Sequence, residues 1–130
     1  MLSMINSTFE IGSTSATAWG LHPRRLKRAA DVIFSHFSDA ASKLLQEGTR
    51  GIDVSDSLEL VMVASLLYGL SLETMFRALI VQRIKPTLAD LSGLFGQGSG
   101  HNLRALAERA NFAVSSDELD IMNRLTAFVE

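Results

Sequence analysis

The sequence lacks cysteine and has only two prolines, one tryptophan and one tyrosine in 130 residues. Without cysteine, disulfide bonds, thiolate nucleophiles and cysteine-ligated metal sites are excluded. The first 20 residues contain no lysine or arginine, so the positively charged start of a secretory signal peptide is missing. We therefore expect a cytoplasmic protein.

Charge of one sign and long hydrophobic runs are also scarce. The formal net charge is −2, with 47% hydrophobic and 20% charged residues. This composition fits one globular domain and excludes a disordered chain or a polycation made for nucleic acid. The most apolar uncharged stretch, residues 60–72, lies between Glu59 and Glu73. A helix of that length spans roughly 20 Å, short of the ~30 Å hydrocarbon core, so we expect a buried core helix and no membrane partner.

The periodicity of apolar residues predicts an all-α protein, an up-and-down bundle of four to five helices. Residues 1–20 are predicted to form a flexible arm, and residues 21–130 a single helical domain. The first amphipathic helix is predicted to begin at Pro23, whose missing N–H suits a first turn. A second helix is predicted to begin near Asp56 and to end before Pro86.

The second helix is apolar around nearly its whole circumference, which requires burial on most sides. In a domain of this size a partner subunit is the expected source of that burial. Gly69 lies inside this helix and costs about 1 kcal/mol relative to alanine. The close approach of another helix would account for it.

Local signals define the remaining helices. Thr87 is a predicted cap of a short helix, which leads into a glycine-rich loop over residues 93–100. The next helix is predicted to start at His101 or Asn102 and to end at Asn111.

The last helix is predicted to begin with a capping box formed by Ser115 and Glu118. No stop signal precedes Glu130, so the predicted helix reaches the last residue of the sequence.

Three polar residues are candidates for a site within the apolar core. An unpaired carboxylate at Glu73 would be costly in so apolar a helix, and Arg77 follows at the favourable i, i+4 spacing. His101 can either cap its helix or bond to that carboxylate. A purely structural ion pair and a functional polar cluster both fit this pattern.

The cationic residues concentrate in one run: Arg24, Arg25, Lys27 and Arg28. Their position at the predicted start of a helix is disfavoured by the helix dipole, which makes an anionic partner such as an RNA backbone one reading. A solvated helix face is the other. No histidine or carboxylate spacing predicts a metal site, and no cofactor is expected.

The order of these features resembles HEPN-type (higher eukaryotes and prokaryotes nucleotide-binding) domains. The segment LYGLSLETMFRALI (residues 67–80) is similar to their long apolar helix with an internal Glu and a basic residue. GHNL (residues 100–103) is similar to the His-containing element that opens their next helix. The segments LAERA (residues 106–110) and SSDELDIMNRL (residues 115–125) follow in the same order.

The resemblance implies a helical bundle that usually dimerises, often in toxin–antitoxin or phage-defence systems. The nuclease members carry an Arg, four to six residues and then a His, and this sequence has no such spacing. We therefore expect a HEPN-like dimerisation or partner-binding module. A metal-independent RNase or RNA-binding toxin component is the alternative. A further one is a small-molecule or nucleotide-binding bundle, in which the glycine-rich loop acts as a lid.

Overall fold

A computed structural model describes residues 16–47, 54–95 and 101–129. Within these ranges the chain forms five α-helices and no strand. They are α1 (Ala16–Glu47), α2 (Val54–Ile84), α3 (Leu88–Phe95), α4 (Leu103–Arg109) and α5 (Ser116–Val129). The prediction of an all-α helical bundle is confirmed.

Helices α1 and α2 form an antiparallel hairpin. The apolar face of α1 packs on α2 and is centred on Ala30, which is fully buried. Two polar contacts fix the register of the hairpin. The Ser71 hydroxyl donates to the Pro23 carbonyl at 2.8 Å, and the Tyr68 hydroxyl donates to Asp31 at 2.7 Å.

The start of α1 differs from the prediction. The helix begins at Ala16, so it includes residues 16–20 of the predicted arm, and Pro23 lies inside it. Proline keeps a helical φ wherever it stands, although it removes one backbone hydrogen bond. Here Pro23 is buried against α2 and its carbonyl accepts from Ser71, contacts that offset this loss. Residues 1–15 of the predicted arm lie outside the described residues.

Helix α2 begins at Val54, which places Asp56 inside the helix rather than at its cap. The helix ends where Lys85 adopts a positive φ of 49° and Pro86 follows. Thr87 then caps α3 as predicted, because its backbone N–H and hydroxyl both donate to Asp90. Both hydrogen bonds hold the pKa of Asp90 below its ordinary value, and the bond from the hydroxyl has the larger effect.

Local motifs also determine the bounds of α4 and α5. The Asn102 side chain caps α4 by accepting from the Ala105 N–H. Asn111 ends that helix as predicted, with a φ of 54°, and the Phe112 N–H reaches back to the Ala107 carbonyl in a Schellman motif.

The predicted capping box at the start of α5 is confirmed. Ser115 donates from its backbone N–H and its hydroxyl to Glu118, and the Glu118 N–H donates back to the hydroxyl. The bonds from Ser115 lower the pKa of the Glu118 carboxyl.

The apolar core lies between the C-terminal half of α2 and the pair α4–α5. Its buried side chains are Phe76, Ile80, Leu103, Leu106, Ala107 and Met122. Phe112 adds an edge-on contact with the Phe76 ring, at 5.6 Å between ring centroids. The core is therefore built around one end of α2.

Gly69 lies where α5 crosses α2. A Cβ atom there would come within 2.8 Å of a Val129 methyl carbon and 3.3 Å of the Leu125 carbonyl oxygen. The expected close approach of another helix is thus present at this glycine.

The helical glycines Gly69 and Gly93 provide a matched test of this crossing. Gly93 lies in α3 and has nothing within 4 Å of its would-be Cβ. We expect Gly93→Ala to raise the free energy of unfolding by about 0.5–1 kcal/mol through helix propensity. Gly69→Ala should lower it, because overpacking costs about 1–3 kcal/mol. Urea unfolding of both variants measures the difference. An equal increase in both would contradict the close contact.

Tyr68 can be followed directly because it is the only tyrosine. Desolvation first, and then the bond to Asp31, raise its pKa from 10.0 to about 12. A raised pKa in the folded state favours the neutral phenol, so this contribution to stability is complete below pH 10 and is lost as the pH rises toward 12. At pH 11, ultraviolet absorbance should show about a tenth of Tyr68 ionised in the folded chain, against about nine tenths in denaturant.

Asp31→Asn provides the control for this titration. It removes the negative charge but not the burial, so we expect it to lower the pKa of Tyr68 part of the way toward the ordinary value. Circular dichroism at pH 11 verifies that the chain remains folded. Identical titrations of folded and denatured protein would contradict the contact.

Candidate functional site

The structure brings Glu73, Arg77 and His101 together. Glu73 is only 5% exposed, and each of its carboxylate oxygens has a partner. Arg77 Nη2 lies 2.6 Å from Oε1, and His101 Nδ1 lies 3.1 Å from Oε2. Because a buried carboxylate is stable only when it is paired and hydrogen-bonded, these two contacts make its position in α2 possible.

Arg77 connects this carboxylate to an aromatic ring. Its guanidinium carbon lies 4.7 Å from the centroid of Phe95, at the end of α3, and that of Arg109 lies 5.9 Å from it. Both distances are within the range of cation–π attraction. Phe95 is the residue of this group that periodicity did not indicate, since it lies within the predicted glycine-rich loop.

His101 is the accessible member of the group. Its side chain is 56% exposed, whereas that of Glu73 is 7% exposed. An ionised carboxylate only accepts hydrogen bonds, so Nδ1 is the donor when it bonds to one. Such a pair can orient an imidazole for proton transfer. It also holds the start of α4 against α2, which is a structural role.

Thr126 supports this arrangement from α5 and was missed by the sequence analysis. It is buried, accepts from the Leu103 N–H at 3.2 Å and donates to the Met122 carbonyl at 2.9 Å. It thereby accepts a hydrogen bond from a backbone N–H that has no partner within the first turn of α4. The only signal in the sequence is a lone hydroxyl among the apolar positions of the last helix.

The basic run lies on the exposed side of α1. Arg24, Arg25, Lys27 and Arg28 are all exposed. Lys27 pairs with Asp31 at 2.8 Å. This bond lowers the pKa of Asp31 the most, and the hydrogen bond from Tyr68 lowers it further. Asp31 is an acidic neighbour of the run, which does not join the group around Glu73.

Two further predictions concern metals and the glycine-rich loop. Among the described residues, no group of three or more His, Asp or Glu side chains is arranged to hold a metal ion. Gly93 and Phe95 belong to α3, while residues 96–100 of the predicted loop lie outside the described residues.

A second candidate site is an apolar face on the N-terminal half of α2, formed by Leu58, Met62, Val63 and Leu66. All four side chains are exposed, Leu58 and Met62 by 59% and 58%. Positions 58, 62 and 66 continue, at helical spacing, the stripe through Gly69 and Phe76 that α4 and α5 cover. Among the described residues, α4 and α5 cover this stripe only from about Gly69 onward.

The apolar character of α2 exceeds what the bundle buries. Leu58–Ile84 is the one described helix that is long and apolar enough to cross a membrane by length and composition, and 22% of its most apolar window is buried. A core helix can also meet that criterion. The expected burial on most sides is therefore not achieved by the described residues alone.

The chain matches no protein-family model, no curated protein and no solved structure.

The group around Glu73 makes a measurable prediction for stability. Glu73→Ala leaves Arg77 buried without its carboxylate and should lower the free energy of unfolding by about 3–5 kcal/mol. Glu73→Gln keeps the shape and should cost less. Urea unfolding at pH 7 measures both variants.

Glu108 provides the matched control. It also forms an i, i+4 pair, with Arg104 as the preceding residue, but both side chains are more than half exposed. Glu108→Ala should therefore change the free energy of unfolding by less than about 1 kcal/mol. Equal effects of the two alanine substitutions would mean that the burial of Glu73 contributes nothing.

Proposed function

We propose that this protein is a helical association module that forms a homodimer through the apolar face of α2. The observation that carries the proposal is the exposure of four large apolar side chains, Leu58, Met62, Val63 and Leu66, on consecutive turns of one helix. Single exposed apolar residues are ordinary on a protein surface, whereas a contiguous patch marks an interaction site.

The stripe to which this face belongs favours a helix as its partner. From Gly69 to Ile80 the stripe packs against α4 and α5. From Leu58 to Leu66 the same stripe has the spacing that a neighbouring helix fits. A second copy of α2 supplies such a helix with an equally uncovered apolar face.

Charge is compatible with a two-fold arrangement of this kind. In an antiparallel pair of α2 helices centred between Met62 and Val63, Glu59 lies opposite Leu66 of the partner subunit. The two Glu59 side chains are then separated by seven residues, roughly 10 Å along the axis. That distance is about one Debye length at 0.1 M salt, so salt weakens their repulsion.

The resemblance to HEPN-type domains supports the same proposal, because such domains usually dimerise. The nuclease spacing of Arg and His is missing from this sequence, so the proposal includes association and no catalysis. A role within a toxin–antitoxin or phage-defence system is the biological setting that this resemblance suggests.

Association can be tested by sedimentation velocity at micromolar concentrations. We expect the wild-type chain to sediment as a dimer and Met62→Glu to sediment as a folded monomer, because the substitution places a charge in the centre of the apolar face. Asn123→Glu adds the same charge at an exposed position of α5 and should remain dimeric. Oxidation of Met62→Cys should link two chains, since the protein has no other cysteine.

Two results would overturn the proposal. The first is a wild-type monomer throughout the micromolar range. The second is a monomer that floats with phosphatidylcholine vesicles and loses this behaviour in Met62→Glu, which would assign the face to lipid.

A further inference from the structure

A groove lies between α1 and the C-terminal half of α2, away from the apolar face. Its volume is about 360 Å³, within the range of small-molecule sites. On one side it is lined by Met75, Ala78 and Leu79 of α2, and on the other by Pro23 of α1. The small side chain of Ala78 leaves room between the two helices.

The groove has few polar groups to offer a ligand along its length. Ser71 is at one end, and its hydroxyl is already bound to the Pro23 carbonyl at 2.8 Å. The lining on α2 extends from there to Gln82, eleven residues and roughly 16 Å of helix. An elongated apolar chain therefore fits this groove better than a compact polar molecule.

Two cations lie at the edge of the groove. Arg24 and Lys27 line it from the α1 side, and both are exposed. They are three residues apart on one helix, so their side chains lie on the same face. Lys27 shares its ammonium with Asp31, and its other two donors remain for a ligand. No carboxylate among the described lining residues opposes them.

We propose that this groove binds an aliphatic carboxylate, with the alkyl chain between α1 and α2 and the headgroup on Arg24 and Lys27. The planar guanidinium can donate two parallel hydrogen bonds to a carboxylate. The alkyl chain gains free energy by leaving water for the groove. This inference is independent of association, because the groove and the apolar face occupy opposite halves of α2.

Decanoate, below its micellar concentration, is the probe for isothermal titration calorimetry on the full chain. We expect one decanoate per chain. Decanol lacks the charge, and butyrate lacks the long chain, so each should bind at least about tenfold more weakly. Decylammonium has the opposite charge and should not bind.

Substitutions locate the site. Arg24→Ala should weaken decanoate binding by about tenfold or more. Arg25→Ala removes a neighbouring exposed arginine that is not among the described lining residues and should leave the affinity unchanged. Ala78→Phe fills the groove and should abolish binding, with circular dichroism as the test of folding. Met62→Glu should bind decanoate normally, which separates this inference from the proposed association.

The proposal is overturned if decanol or decylammonium binds as tightly as decanoate, because that indicates adsorption to exposed apolar surface. It is also overturned if Arg24→Ala and Arg25→Ala bind with equal affinity. Equal affinities would mean that the position of Arg24 at the groove does not matter for decanoate binding.

Discussion

A carboxylate buried in the most apolar helix determines how the later helices are arranged. Both oxygens of Glu73 need donors, and only one of them comes from the same helix. The second is His101, so the residues that lead into α4 must come to α2. Arg77, which satisfies the first oxygen, lies over the ring of Phe95 and so connects the end of α3 to the same place.

Around that group, α2 consists of two halves with different surroundings. Its C-terminal half supplies Phe76 and Ile80 to the core that α4 and α5 complete. Its N-terminal half packs against α1 on one side and leaves Leu58, Met62 and Leu66 exposed on another. The apolar face arises from this difference, because α5 no longer covers α2 there, whereas the groove lies beside the C-terminal half.

The sequence was sufficient for two interactions that join residues three or four positions apart. The capping box of Ser115 and Glu118 and the pair of Glu73 and Arg77 are both of this kind, since helical geometry alone brings such residues together. The start of α1 was not predictable, because a proline has the same φ inside a helix as in its first turn, and its tolerance depends on packing against α2.

Contacts between distant residues depend on how the helices cross, which no local pattern encodes. The bond between Tyr68 and Asp31 joins residues 37 positions apart. Likewise, the groove beside Ala78 exists only because α1 runs alongside this part of α2. The composition of α2 nevertheless indicated a large apolar surface, part of which the described helices leave exposed.

Helix α2 has 31 residues and is therefore about 46 Å long, with a buried ion pair near its middle and different neighbours at each end. Neither α1 nor the pair α4–α5 retains its packing surface if this helix unwinds. Hydrogen exchange in the two halves of the bundle should therefore be governed by the same opening event, and a molecule that binds at one end slows exchange at the other. The shared helix makes the bundle a single cooperative unit despite its two separate packing regions.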